Sequence, residues 1–78
     1  MSTPQPNLIK AINEIEAGLP ALATASEAAN ALRTSPRNLR RLIVAGRLGA
    51  MRERESGSSR VLIPRAEIGR YLRSLVSP

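Results

Sequence analysis

Four side chains that can hydrogen-bond to nucleic-acid bases lie within five consecutive positions: Arg37, Asn38, Arg40 and Arg41. An Arg guanidinium can donate two hydrogen bonds to a guanine edge, and an Asn amide can bond both the donor and the acceptor of an adenine. No acidic residue stands three or four positions from these arginines, so on a helix they would repel one another unless an anion lay beside them. The cluster favours contact with DNA over a solvated basic face with no partner.

The composition excludes most catalytic chemistries. The 78 residues include no Cys and no His, so the chain has no thiolate nucleophile, imidazole base, or nitrogen or sulfur ligand for a metal ion. We predict that the protein is not an enzyme and uses no cofactor or metal. The length suits one small domain. No apolar run is long enough to cross a membrane and the first residues do not resemble a signal peptide, so we expect a cytoplasmic protein.

The formal net charge of +6 is unevenly distributed along the chain. Residues 1–31 contain one Lys and three Glu, whereas residues 32–78 contain eleven Arg and three Glu. The planar guanidinium suits phosphates and guanine edges, although a G+C-rich genome enriches Arg without any functional reason. The positions of the arginines therefore indicate more than their number does.

Two short helices with clear start signals carry the basic cluster. Thr24 and Glu27 form a capping box, which predicts a helix over residues 25–32. After a tight turn, Ser35 is a suitable N-cap for another helix over residues 36–45. Two helices joined in this way form a helix-turn-helix.

The second of these helices is basic on its outer face. Its apolar side chains lie on one side, and Arg37, Arg41 and Val44 point the opposite way with Arg40 on their flank. Residues near the N-terminus of the second helix of a helix-turn-helix reach base edges in the major groove. We therefore predict a DNA-binding recognition helix whose contacts come from Ser35, Arg37, Asn38, Arg40 and Arg41, with Ser35 on a phosphate.

A two-stranded hairpin is predicted after the helices. Residues 50–54 and 60–63 flank a small polar tract over residues 55–59, and Pro64 would end the second strand and open a last helix. In that helix we expect an Arg70–Glu67 pair, with Arg65, Arg70 and Arg73 in structural or peripheral phosphate-binding roles.

A hairpin beside a helix-turn-helix is a wing. Alternation would place Arg52 and Arg54 on one face of the strand, with Arg60 across from them or close by. We predict that this wing contacts phosphates or the minor groove through Arg52, Arg54, Ser58, Ser59 and Arg60. The alternative is that Glu53 and Glu55 only balance the arginines on an edge hairpin.

The N-terminal part has a different character. Residues 1–6 are predicted to be a flexible tail, and residues 7–19 a helix capped by Asn7. Its apolar stripe consists of Leu8, Ile12, Ile15 and Leu19. Two roles remain open for this stripe: packing on its own domain, or self-association with a second copy.

Taken together, the motifs resemble one family of DNA-binding domains over about residues 22 to 75. The pattern consists of Thr24-x-x-Glu27-Ala28-Ala29-x-x-Leu32-x-x-Ser35, then Leu39-x-Arg41-Leu42-Ile43-x-x-Gly46-x-Leu48-x-Ala50-x-Arg52, then Arg60-x-x-Ile63-Pro64-x-x-Glu67-Ile68. It resembles the excisionase family, a branch of the winged helix-turn-helix group related to the mercury-resistance type regulators.

The resemblance implies a mainly α fold with a small β-hairpin, a winged helix-turn-helix over residues 22–76, to which the helix over residues 7–19 is an addition. It implies a bacteriophage or mobile-element protein that binds and bends attachment-site DNA in a bacterial cell. Such a recombination directionality factor directs an integrase, its partner, towards excision. Members of the same fold also act as small transcription regulators. By position, the recognition helix is residues 35–45 and the wing is residues 52–60.

Two positions depart from the family pattern. The usual Gly-Val before the serine is Arg33-Thr34 here, and a non-glycine residue in a left-handed turn costs about 1 kcal/mol. The residue before Ile63-Pro64 is often basic in the family and is Leu62 here, which removes a phosphate contact or buries the strand more deeply.

Other binding classes fit the sequence less well. RNA-binding modules usually stack bases on exposed aromatic rings, and the chain has a single aromatic residue, Tyr71. A membrane surface is disfavoured because the arginines are spread over several elements and no Trp or Phe is present to anchor an interfacial helix.

Overall fold

The computed structural model describes residues 6–55 and 58–76, with side chains at all of these positions except 54, 55, 58 and 59. The elements are α1 (Pro6–Ala17), β1 (Leu22–Thr24), α2 (Ala25–Ala31), α3 (Pro36–Val44), β2 (Met51–Glu55), β3 (Ser58–Pro64) and α4 (Arg65–Val76). The strands form one antiparallel sheet in the order β1-β3-β2. The predicted winged helix-turn-helix with an additional N-terminal helix is confirmed.

Strand β1 was not predicted from the sequence, and it joins the helix-turn-helix to the wing. Ala23 of β1 lies opposite Ile63 of β3, and both residues are fully buried. Thr24 is the last residue of β1 and also the N-cap of α2. The start of α2 is therefore fixed on the central strand of the sheet.

The predicted capping interactions are confirmed at both helices of the motif. The Glu27 amide donates to Thr24 Oγ1 at 3.1 Å, and the Thr24 amide donates to Glu27 Oε1 at 2.8 Å. At α3, the Asn38 amide donates to Ser35 Oγ at 3.1 Å, and Pro36 occupies the first turn. These caps satisfy amides that have no partner within the helix.

The core lies where α2, α3 and α4 meet the inner face of the sheet. Its buried members are Ala23, Ala28, Ala29, Leu39, Leu48, Ile63 and Ile68. The two buried alanines of α2, Ala28 and Ala29, are small enough for the helix to pack closely against its neighbours. Leu39 is the buried residue of α3, so this helix turns one face inwards and leaves the opposite face to solvent.

Both helices of the motif end in the same way, but with different residues at the left-handed position. After α2, the amides of Arg33 and Thr34 donate to the carbonyls of Asn30 and Ala29. After α3, the amides of Gly46 and Arg47 donate to the carbonyls of Ile43 and Leu42. These are Schellman motifs, with φ of 53° at Arg33 and 76° at Gly46. Arg33 thus takes the left-handed conformation in spite of its side chain, so the absence of the usual glycine does not remove the left-handed residue from this turn.

Helix α1 packs on α4, where Gly69 allows a close approach. Gly69 is buried, and a Cβ atom there would overlap the carboxylate of Glu16. Arg73 links the two helices, with Nη2 donating to Asn13 Oδ1 at 2.7 Å and Nη1 at 2.9 Å from Glu16 Oε1. Ile12 is the buried residue of α1, so this member of the stripe packs within its own domain.

The expected boundaries are wrong at both ends of α1, at Pro64 and at the hairpin. Helix α1 begins at Pro6, which was assigned to the tail, so Asn7 lies inside the helix instead of capping it, and the helix ends at Ala17 instead of Leu19. Residues 1–5 of the predicted tail lie outside the described residues. Pro64 is the last residue of β3, paired with Leu22, and α4 begins one residue later. The strands also extend to positions 55 and 58, so the connection is shorter than the predicted tract of residues 55–59.

The two Schellman motifs predict opposite effects of substitution. Arg33→Gly relieves the left-handed strain but increases the conformational freedom of the unfolded chain. The net result should be an increase of about 0.5–1 kcal/mol in the free energy of unfolding. Gly46→Ala is the matched control, because the new Cβ meets no atom within 4 Å and its cost of about 1 kcal/mol comes from φ alone. Denaturant unfolding measures both changes. A loss of stability in Arg33→Gly would contradict this account of the turn.

Candidate nucleic-acid interface

The outer face of α3 is basic and open to solvent. A shallow concavity on this face is lined by Arg37, Arg40, Arg41, Val44 and Ala45, and all five residues are exposed. Three of the five residues predicted to contact DNA from the recognition helix, Arg37, Arg40 and Arg41, thus lie together on one surface. Val44 is 81% exposed; the sequence pattern placed it on this face without assigning it a role.

Ion pairing divides the arginines into two groups. Between described residues, the ion pairs are Arg60–Glu53, Arg70–Glu67 and Arg73–Glu16. None of these pairs involves Arg37, Arg40, Arg41 or Arg52. A different surface, the open groove between α1 and α2, is lined by Glu14 and Glu27. Among the described residues, the three arginines of α3 and Arg52 therefore have no ion-pair partner, and the same holds for Arg33, Arg47 and Arg65.

Asn38 and Ser35 have local partners at the start of α3. The Asn38 side-chain amide donates to Thr34 Oγ1 at 2.8 Å, and Ser35 Oγ accepts from the Asn38 backbone amide. Both residues are exposed. The Asn38 side chain keeps its carbonyl oxygen and a second N–H for other partners.

A cleft joins α3 to the hairpin. It is lined on the helix side by Pro36, Leu39, Arg40, Ile43 and Val44 together with Ala25, and on the sheet side by Arg52 and Val61. Arg52 and Val61 are directly opposed in the register of β2 and β3, so they share one face of the sheet. Arg40 and Val44 also line the concavity on α3, so the concavity adjoins this mainly apolar cleft, which Arg40 borders on the helix side and Arg52 on the sheet side.

Arg60 lies on the other face of the hairpin. It is paired with Glu53 in the strand register, and its Nη2 donates to Glu53 Oε1 at 2.9 Å. Of the two expected placements of Arg60, across from Arg52 and Arg54 or close by, the register gives the second, because Arg60 lies opposite Glu53 while Arg52 is opposite Val61 and Arg54 opposite Ser59. The sequence shows alternation within a strand but not which residues of two strands are paired.

The remaining predicted wing residues can be placed only by their backbone. Arg54 pairs with Ser59, and Ser58 pairs with Glu55. The side chains of Arg54, Ser58 and Ser59 lie outside the described residues, so their predicted contacts with DNA stay predictions.

Glu67 fixes the segment that follows α3. Its Oε1 accepts from the Gly49 amide at 3.0 Å and from Arg70 Nη2 at 2.8 Å. Arg70 Nη2 also lies 3.2 Å from the carbonyl oxygen of Arg47 and donates to it. The Arg70 hydrogen bond, followed by the Gly49 amide, lowers the pKa of Glu67 below its ordinary value. The predicted Arg70–Glu67 pair is confirmed, and it ties the segment after α3 to α4.

The other arginines near α4 also have structural contacts. Arg65 Nη1 donates to the carbonyl oxygen of Leu19 at 3.0 Å, and Arg73 bonds α1. The guanidinium of Arg47 lies 5.8 Å from the ring centre of Tyr71, a cation–π distance. Tyr71 itself packs against the core, as expected. These contacts favour structural roles for the arginines of α4.

Two further features are absent from the part of the chain that the structure describes. It contains no group of three or more acidic, His or Cys residues placed to hold a metal ion. None of its helices combines the length and the apolar character needed to span a membrane.

Comparison with known protein families matches residues 24–75 to the helix-turn-helix domain. The matched region covers about two thirds of the chain. The chain belongs to the helix-turn-helix domain family. The match begins at the N-cap of α2 and ends within α4, so this helix-turn-helix region includes the wing and leaves out α1. It supports a small DNA-binding protein. No match was found among curated proteins or among solved structures.

The Glu67 contacts predict a pH-dependent stability. Because the pKa of Glu67 is lowered in the folded state, its contribution is complete above the unfolded value of about 4.3 and is lost as the pH falls through the folded value. Glu67→Gln should therefore lower the free energy of unfolding by about 1 kcal/mol at pH 7, and the difference from the original chain should shrink below pH 4.

Glu53→Gln provides the matched control, since it removes a carboxylate from a more exposed Arg–Glu pair. Its effect should stay within about 0.5 kcal/mol. Chemical denaturation of the three proteins between pH 3 and pH 7 measures these differences. A Glu67→Gln difference that does not change with pH would contradict the assigned role.

Proposed function

We propose that the chain is a sequence-preferring DNA-binding protein in which α3 enters the major groove and the Arg52 face of the hairpin contacts the phosphate backbone. The observation that carries this proposal is a set of four exposed arginines that line either the concavity on α3 or the adjoining cleft: Arg37, Arg40, Arg41 and Arg52. None of them belongs to an ion pair between described residues.

The proposed division of labour follows from the two elements. A helix fits the width of the major groove, and arginines on its exposed face can bond guanine edges. Contacts to phosphates set the position of the protein without reading sequence. Arg52 borders the cleft beside α3, at a place where a backbone next to the occupied groove would pass. Arg37 and Arg41 are therefore assigned to base reading and Arg52 to positioning.

The proposed biological role is that of an excisionase-type recombination directionality factor. It is supported by the resemblance over about residues 22 to 75 and by the winged form of the domain. Such a protein would bind repeated sites in attachment DNA, bend the duplex and direct an integrase towards excision. The chain's own contribution would be shape and charge, with the chemistry performed by the recombinase.

The packing of α1 favours this role over a two-fold symmetric transcription repressor or activator. Ile12 is buried against the chain's own domain, and Leu19 packs against the core, which leaves Leu8 as the exposed large residue of the α1 stripe. A symmetric dimer usually needs a larger apolar area. We therefore expect copies to be arranged by adjacent DNA sites rather than by a dimer through α1.

Footprinting distinguishes the two roles. Direct repeats at intervals of about 10 bp, together with a position-dependent gel mobility that reports bending, are expected of the excisionase role. A single palindrome with half-sites related by a two-fold axis, and an unbent duplex, would favour the transcription regulator instead.

The recognition arginines predict a loss of both affinity and sequence preference. Arg37→Ala or Arg41→Ala should weaken binding to the preferred duplex by about 1–3 kcal/mol and reduce discrimination against random duplexes. The original chain should show a log–log salt slope of about −0.9 per phosphate contacted. Fluorescence anisotropy titrations at several salt concentrations give both quantities. An equal loss on preferred and random duplexes would contradict base reading by α3.

The two faces of the hairpin provide a second test. Arg52→Ala should weaken preferred and random duplexes alike and reduce the salt slope by about one unit. Arg60→Ala removes the same charge from the opposite face, where Arg60 is paired with Glu53, and should have a clearly smaller effect. The same titrations compare these variants, and a larger effect of Arg60→Ala would reverse the proposed orientation of the wing.

A further inference from the structure

Val44 is exposed at a position where its side chain adds little to folding. Its exposed fraction is 81%, whereas the other exposed large hydrophobic residues among those described have exposed fractions of 44% to 55%. As a β-branched residue at the end of a helix, it also has a lower helix propensity than Ala. Stability therefore does not account for a valine here.

The surroundings of Val44 are those of the proposed reading surface. It follows Arg37 by seven residues and Arg41 by three, so the three side chains lie along one face of α3. They line the same concavity with Arg40, and Val44 also borders the cleft towards Arg52. An apolar side chain among four cations is poorly suited to a protein partner with an apolar surface, because the arginines around it would lose their solvation.

The major groove offers one apolar group that fits this setting. The 5-methyl group of thymine projects into the groove, beside the acceptors of neighbouring guanines that arginines bind. We propose that Val44 determines specificity by contacting the 5-methyl group of a thymine next to the bases read by Arg37 and Arg41. This inference rests on the proposed function and adds a second kind of base recognition to it.

The test removes the methyl group from the DNA and the side chain from the protein. The full chain is first used to select a preferred site from a randomised double-stranded pool. Each thymine of that site is then replaced singly by deoxyuridine, which lacks the methyl group and keeps the same base pairing. Dissociation constants are measured for the original chain, Val44→Ala and Leu75→Ala. Leu75 is the control, an exposed apolar residue on α4.

One deoxyuridine substitution per bound copy should weaken the original chain about fourfold, the equivalent of the ~0.8 kcal/mol associated with one buried methyl or methylene group. The affinity of Val44→Ala for the thymine duplex should be lower than that of the original chain by a similar factor. Its affinity for the deoxyuridine duplex should show no further loss. Leu75→Ala should retain the fourfold sensitivity. Circular dichroism checks that Val44→Ala is folded, as expected for an exposed residue replaced by a better helix former.

The possible failures are distinguishable. A preferred site without thymine, a site whose thymines can all be replaced without loss, or a Val44→Ala protein that keeps the fourfold sensitivity would overturn the assignment of Val44 alone. If the original chain prefers no duplex over random DNA, the proposed function fails, and the Val44 inference fails with it.

Discussion

The pairing of β3 with both β1 and β2 determines where the recognition helix lies relative to the wing. On one side of β3, Ile63 pairs with Ala23, and the next residue of β1, Thr24, caps α2. On the other side, Val61 pairs with Arg52 of β2. The strand then leads directly into α4, which holds both α1 and the segment after α3. A shift of β2 by one residue against β3 would turn Arg52 away from α3, and a shift of β3 by one residue against both neighbours would expose Ile63.

The arrangement of acidic residues is as informative as that of the arginines. Three carboxylates each neutralise one arginine, at the outer face of the hairpin, at the segment after α3 and at the contact between α1 and α4. Surface ion pairs of this kind add little stability. Their effect on the charge distribution is larger, because they offset the charges of three arginines and leave those of α3 and Arg52 without an ion-pair partner among the described residues.

The helix-turn-helix could be predicted because its signals are local. The capping box of Thr24 and Glu27 and the N-cap Ser35 involve residues three positions apart, and the structure reproduces them. The resemblance to the family also marked Arg33 as a position where a glycine is usual. Local patterns also placed Val44 and the arginines of α3 on one outer face.

What the sequence did not reveal depends on contacts between distant segments. The three residues of β1 have no recognisable pattern and become a strand only because β3 lies beside them. The hairpin register is likewise a property of two strands, so the partner of Arg60 could not be read from either one alone. The close approach of α1 to Gly69 involves positions more than fifty residues apart. Propensity cannot predict such contacts, since they depend on how the whole chain packs.

The acidic residues in the groove between α1 and α2 make the charge distribution of the molecule asymmetric. Glu14 and Glu27 line that groove, whereas the unneutralised arginines collect on α3 and the adjoining edge of the hairpin. A molecule with separated charges of this kind is turned by the field of a polyanion before contact, and its encounter rate falls steeply as salt is added. Glu14 and Glu27 would be repelled by such a polyanion while the arginines of α3 are attracted, so the charge separation would favour an approach with α3 foremost.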